Sequence, residues 1–223
     1  MDDREDSATP LRFPAGALKR PRFEAGHYLA AGDLAIWQRY RLQRLRRHRR
    51  YLHGWGVVCG LNVVPAPEPR QPWAVLVCPG YAIGPYGDEI EVTTQVPIDL
   101  REYLWLAPPR LLTNLIKPPP VFLGLRYVER GHRLMPANVP SCGCEDVRDQ
   151  PTRISDSFRL DVLWQPQLSG QIIEFDPCTK TSAACPDCPQ SADLLLACIK
   201  LPPTDSEPIK SNDIDNWTFR KQL

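Results

Sequence analysis

The sequence predicts a mainly β protein of the α+β kind, with β-sandwich or barrel-like units, one long helix near the N-terminus and long loops. Three observations predict it. Runs rich in β-branched and aromatic residues, bounded by glycine or proline, recur as GVVCGLNVV, WAVLVCPGYAI and DEIEVTT in the first half. They return as VFLGLRYVE, SFRLDVLW, QIIEF and DLLLACIKL in the second half. Proline is abundant, 25 of 223 residues, about twice the roughly 5% background, and punctuates these runs as PAPEP, APP, KPPP and LPP.

Taken in order, residues 1–24 read as a polar N-terminal arm, interrupted by Pro10, Pro14 and Pro21 and carrying Phe13 and Phe23 as anchors. The clearest helix begins at Asp33, which follows Gly32 and can cap LAIWQRYRLQRLRRHRRYLH, and it should end near Gly54. Leu34, Trp37, Leu45 and Leu52, with Ile36 and Tyr40, give it an apolar side that is broken at Arg41 and His48. With the strands that follow, this helix forms a unit over residues 25–108. GPYGDE reads as its hairpin turn, and PIDLREYLWLAPP as a short closing helix. A second β unit spans 109–201, with long loops at 130–156 and 176–192 that hold most of the cysteines. A C-terminal arm, 202–223, ends in IDNWTFRKQL.

Charge is uneven. The totals nearly cancel, 27 Lys and Arg against 26 Asp and Glu, so the whole molecule demands neither nucleic acid nor a membrane. Yet no acidic residue occurs from Leu34 to Pro67, where Arg39, Arg41, Arg44, Arg46, Arg47, Arg49 and Arg50 crowd one helix. Such arginines could bind phosphate, anionic lipid or an acidic protein face. They point to every side of the helix, and no glycine-rich or aromatic nucleic-acid motif accompanies them, so ion pairing within the protein or with a packed neighbour is favoured.

Eight cysteines in a chain without a hydrophobic leader read as metal ligands or thiols rather than a disulfide framework. SCGC supplies Cys142 and Cys144; DPCTKTSAACPDCP supplies Cys178, Cys185 and Cys188. Two close pairs, Cys142 with Cys144 and Cys185 with Cys188, could hold a structural zinc in a tetrahedron, and an iron–sulfur cluster could use the same ligands. Disulfides and free thiols remain open alternatives. Cys59, Cys78 and Cys198 fall inside expected strands and read as small buried hydrophobes.

Catalytic signals are absent from the sequence. It has four histidines and no nucleophile elbow, P-loop, zinc-protease or dinucleotide motif. Asp88, Glu89 and Asp99 read as turn carboxylates, and His53 as a cation at a helix C-terminus. No enzyme and no small-molecule substrate is expected. The acidic opening MDDREDSATPLRFPAG lacks an apolar signal core, and the longest apolar run, LLLACI, is far short of the ~20 residues that span a bilayer. A cytoplasmic protein is expected.

Two segments carry a family resemblance. GHYLAAGDLAIWQRYRLQRLRRHRRYLHGWGVVCGLNV, followed by VCPGYAIGPYGDEIEV, resembles the accessory proteins encoded beside phage-tail-like contractile injection systems. The matching elements are Gln38 to Tyr40, Leu52 to Leu61 and Val77 to Ile90, with PTRISDSFRLDV at 151–162 resembling a second family signature. The resemblance implies a structural subunit of the baseplate or spike region, assembled from a cytoplasmic pool into a multi-copy ring with other subunits of the particle. In that setting Arg39, Arg46, Arg47, Arg49 and Arg50 would face acidic surfaces of neighbours. The alternative is a zinc-stabilised nucleic-acid-binding module that uses the arginine helix.

Overall fold

A computed structural model describes residues 18–67, 71–106, 118–136, 149–164, 191–204 and 206–223. The fold is mainly β, with three antiparallel sheets of three or four strands and one long helix. The chain falls into two compact units, Met1–Arg47 and His48–Leu223.

The helix, α1, spans Ala31–His48 and passes into a π-helical turn, Arg49–His53, that stops at Gly54. Gly54 has φ +83°, a left-handed conformation that ends a helix at little cost for glycine, so the expected C-terminus is where the sequence places it. The start differs slightly. Asp33 is not the cap but the third helical residue, and its carboxylate accepts the Ala30 N–H at 3.1 Å, the back-reaching half of a capping box.

Of the three glycine-framed runs in the first half, two hold two strands each. GVVCGLNVV becomes β1 (Gly56–Gly60) and β2 (Val63–Pro65), and WAVLVCPGYAI becomes β3 (Ala74–Val77) and β4 (Gly80–Ile83). With β5 (Glu89–Val92) and β6 (Val96–Asp99) they form two sheets, ordered β1-β4-β5 and β2-β3-β6. Both strand pairs leave one sheet and enter the other at a shared corner. There the Leu61 N–H donates to Pro79 O at 3.1 Å, and the Cys78 N–H to Asn62 O at 2.8 Å.

The corner works because glycines meet in it. Gly60 has φ +64° and buried Leu61 follows at φ +58°, so two successive left-handed residues turn the strand. A Cβ on Gly80 would lie 2.4 Å from both the Cys59 oxygen and the Leu61 nitrogen, which no backbone shift of a few tenths of an ångström could relieve. GPYGDE closes β4 to β5 as expected, with the Gly84 N–H donating to Asp88 O at 2.7 Å. The expected closing helix after it is part strand: β6 takes its first residues, and a 3-10 helix, Leu100–Leu106, follows.

The third sheet runs β10-β9-β7-β8. β7 (Val121–Pro136) and β8 (Asp149–Trp164) are 16 residues each, and β9 is Leu194–Ile199. β9 covers β7 from Val121 to Leu125, and from Arg126 outward β7 pairs with β8 among the described residues. Burial follows this division. Leu123 and Leu125 are fully buried, whereas residues 129–135 and 151–156 are exposed. At the boundary Arg126 forks onto Asp193 at 2.8 and 2.7 Å, with Asp161 at 3.8 Å and Ser191 Oγ donating to the same Asp193 carboxylate.

Apolar residues from all three sheets join in one core, among them Val57, Val75, Ile90, Leu123, Trp164 and Leu196. The two β units expected from the sequence therefore share a single interior. The segment from Pro202, an arm in the sequence reading, lies on this unit. Ile209 is buried and its N–H donates to Pro72 O at 2.9 Å. β10 (Ile214–Asp215) adds to β9. The expected strand QIIEF lies outside the described residues.

Candidate interaction surface on the basic helix

In the first compact unit none of the residues of α1 is buried. A helix normally packs its apolar stripe; here Leu34, Ile36, Trp37 and Leu45 are each at least 42% exposed. Leu34, Trp37, Arg41 and Leu45 follow one another at helical three- and four-residue spacing, so they share a face. Arg41 interrupts that face in sequence but not in chemistry, because its guanidinium sits 5.2 Å from the Trp37 ring centroid. Arg44, beside it, donates to Tyr40 Oη at 3.4 Å.

The residues before the helix complete a concavity. Pro21, Phe23, Tyr28 and Leu29 line it with Leu34 and Trp37, enclosing about 580 Å³. Phe23 is 54% exposed, and Tyr28 is fully exposed. The segment is held by local bonds: Arg22 pairs with Glu24 at 2.7 Å and the His27 N–H donates to Glu24 O at 3.2 Å. Arg22, Glu24, His27 and Asp33 also line the cavity, so its polar rim is mixed in charge, with Arg22 paired to Glu24, while the other end of the helix is basic.

The arginines expected to form an interface divide in two. Arg39 and Arg47 are exposed and Arg46 half-buried on α1. Arg49 and Arg50, in the π-helical turn, are half-buried, and Arg49 Nη2 pairs with Glu89 Oε1 at 2.8 Å. Arg46, Arg47 and Arg50 are each engaged in further contacts. Glu89 in turn bonds Tyr81, and burial together with that carboxylate pushes the Tyr81 phenol up to about 12. Arg49 thus contributes to tying the π-helical turn to β4 and β5. Arg41 was not grouped with Trp37 in the sequence reading, although the 34, 37, 41, 45 spacing places the two on one face.

The candidate turn carboxylates are structural in their contacts. Asp88 is buried, Glu89 is paired as above, and Asp99 holds Arg101 through both oxygens. His53 lies in the last turn before Gly54, with its ring 5.4 Å from that of His48 in an edge-on contact. Cys142, Cys144, Cys178, Cys185 and Cys188 lie outside the described residues. Among the described residues no group of three or more His, Cys, Asp or Glu side chains is arranged to hold a metal. Of the cysteines expected in strands, Cys198 is buried, with its thiol pushed up to about 11 chiefly by burial. Cys78 is half-buried, and Cys59 is exposed, contrary to expectation: the register of β1 shifts between Val57 and Cys59, so Cys59 does not continue the buried side that Val57 occupies.

Fold and surface together define a β-rich domain bearing a basic helical unit with an uncovered apolar face. No protein-family model matches the chain, and no curated protein is significantly similar to it. Among the described residues no helix is long and apolar enough to cross a membrane.

Proposed function

We propose that this protein is a structural subunit that works by protein–protein assembly, in the baseplate or spike region of a contractile, phage-tail-like injection particle. The observation that carries the reading is α1: 18 residues of amphipathic helix without one buried residue. Helices of this kind gain most of their stability from packing an apolar face, so such a face is well suited to receive a neighbour. The glycine-framed segments around Gly60 and Gly80, which resemble the accessory family of these particles, support the particular setting. In it the subunit occupies a multi-copy ring, catalyses no reaction and reaches the particle from the cytoplasm.

The test is a mild pull-down of the tagged protein from its native host, followed by size fractionation and electron microscopy. Co-migration with megadalton sheathed tubes is the expected outcome. Elution alone, as a small oligomer, or with nucleic acid overturns the reading.

A further inference from the structure

We propose that the strip from Leu34 to Leu45 of α1, with the cavity at its N-terminal end, docks an acidic segment of another protein that carries one bulky apolar residue. The inference rests on the assembly reading and deepens it by giving the chemistry of the neighbour.

Shape and charge specify two halves of the occupant. The cavity, about 580 Å³, falls within the range of about 300–1,000 Å³ typical of binding clefts. Its walls are largely apolar, so what enters must be apolar and large. Aromatic anchors of this kind dominate the energetics of protein interfaces. Beyond Trp37 the surface changes character. Arg41 and Arg44 lie three residues apart, and among the described residues the Trp37 ring and Tyr40 Oη are their partners. Neither neutralises a guanidinium. Both arginines are exposed and no acidic residue occurs from Leu34 to Pro67, so an occupant that brings carboxylates forms charge-assisted pairs with them that fix its register.

The same features argue against two other occupants. A second copy of this helix would bring arginines against arginines, and like charges facing across an interface cost several kcal/mol. A nucleic acid would satisfy Arg41 and Arg44, but at the cavity Arg22 is already paired with Glu24 and Asp33 adds a negative charge, so its phosphates gain nothing there. An acidic peptide with its apolar residue inserted between those carboxylates and its own acids over Arg41 and Arg44 meets neither conflict.

The experiment places a photo-reactive p-benzoylphenylalanine at position 37 of the full chain, produced in its native host, and sequences the cross-linked peptides by mass spectrometry. The expected product is a segment of another protein in which an apolar residue is flanked by Asp or Glu. Its yield should fall at least tenfold in the Arg41→Glu, Arg44→Glu variant, with the urea midpoint of that variant unchanged. Cross-links to a second copy of this chain, including its own residues 2–6, to nucleic acid, or to a segment without acidic residues overturn the proposal. So do a yield indifferent to charge reversal and the absence of any product. Whether the captured neighbour belongs to a sheathed particle tests the assembly reading separately: an acidic neighbour from elsewhere sustains the docking site and removes the particle.

Discussion

The two ends of the described chain are made of similar material and behave in opposite ways. Residues 18–37 and 206–223 are both short on apolar runs and both carry isolated aromatics, which is why each reads in part as an arm. The C-terminal segment is nevertheless fastened at several points. Phe219 meets Phe122 edge-on at 5.1 Å, Lys221 lies over the Trp55 ring at 4.0 Å, and the Asn216 amide binds both backbone groups of Val63, at 2.8 and 3.0 Å. Arg220, 4% exposed, donates to Asn62 Oδ1 at 2.9 Å and to the Gly60 oxygen. The N-terminal unit has local bonds and exposed rings instead. What separates them is the supply of acceptors: the corner at Gly60–Asn62 offers the Gly60 carbonyl and the Asn62 side-chain oxygen within reach of a guanidinium, and α1 consumes its own backbone groups internally.

The largest effect that breaks this contrast should come from Gly80→Ala. Its methyl would collide with the Cys59 and Leu61 backbone, push the corner apart and remove the seat of Arg220. We expect a loss of about 3 kcal/mol or more in a urea titration, at the severe end of overpacking. Arg220→Ala attacks the tail directly. It removes charged hydrogen bonds and the packing of a buried stem, for an expected loss of about 2–3 kcal/mol with an unchanged m-value. Intact stability in either variant would mean that the corner does not hold the tail.

A milder test uses pH at the anchored end of the helix. The Tyr81 phenol is raised to about 12 in the fold against about 10 in an unfolded chain. The folded state therefore keeps its proton more tightly, so its contribution is complete below pH 10 and is lost as pH rises toward 12. Tyr81→Phe should flatten that part of the alkaline decline in thermal midpoint; an identical decline removes the Tyr81–Glu89 contact. On the acid side, the fork of Arg101 holds the Asp99 carboxyl below the usual range. Its contribution is present above pH 4 and fades below it, so Asp99→Asn should cost about 1 kcal/mol at pH 7 and progressively less as the medium is acidified. The smallest effect sharpens the comparison. Trp37→Ala, despite the size of the side chain, should change stability by about 0.5 kcal/mol or less, because the indole packs on no core.

Much of the fold was legible, and the reasons are local. Glycine and proline mark where strands stop, β-branched runs mark where they lie, and the left-handed Gly54 marks the end of the helical segment. What escaped was decided by distant partners. The outer half of the β7–β8 hairpin, RGHRLMP against DQPTRISD, lacks alternating apolar residues. It is strand, where a long loop over 130–156 was expected, because most of its residues have a backbone partner opposite, such as Arg130 with Ser155 and His132 with Arg153, and side chains add diagonal bonds, Tyr127 Oη to Asp156 at 2.5 Å and Ser155 Oγ with His132 Nε2 at 2.8 Å. The split of two glycine-framed runs into two strands each was hidden for the same reason, since the turn exists where Gly60 and Gly80 cross. At the surface, the basic and apolar character of α1 was visible, but which arginines are committed elsewhere was not: Glu89 is 40 positions from Arg49 and nothing local pairs them.

The joint between Asn62 and Arg220 spans 158 positions, and this has a consequence for how the protein is made. At about 5–20 residues per second, a ribosome needs on the order of ten seconds to travel from one partner to the other. Throughout that interval β1 has emerged with the backbone groups of Val57 that later engage Lys221 and Leu223 still unmet. An open strand edge of that kind is the sort that other nascent chains can join. Crowded synthesis, as on polysomes, would sharpen the hazard, and a chaperone that shelters the early sheet until the tail arrives would relieve it.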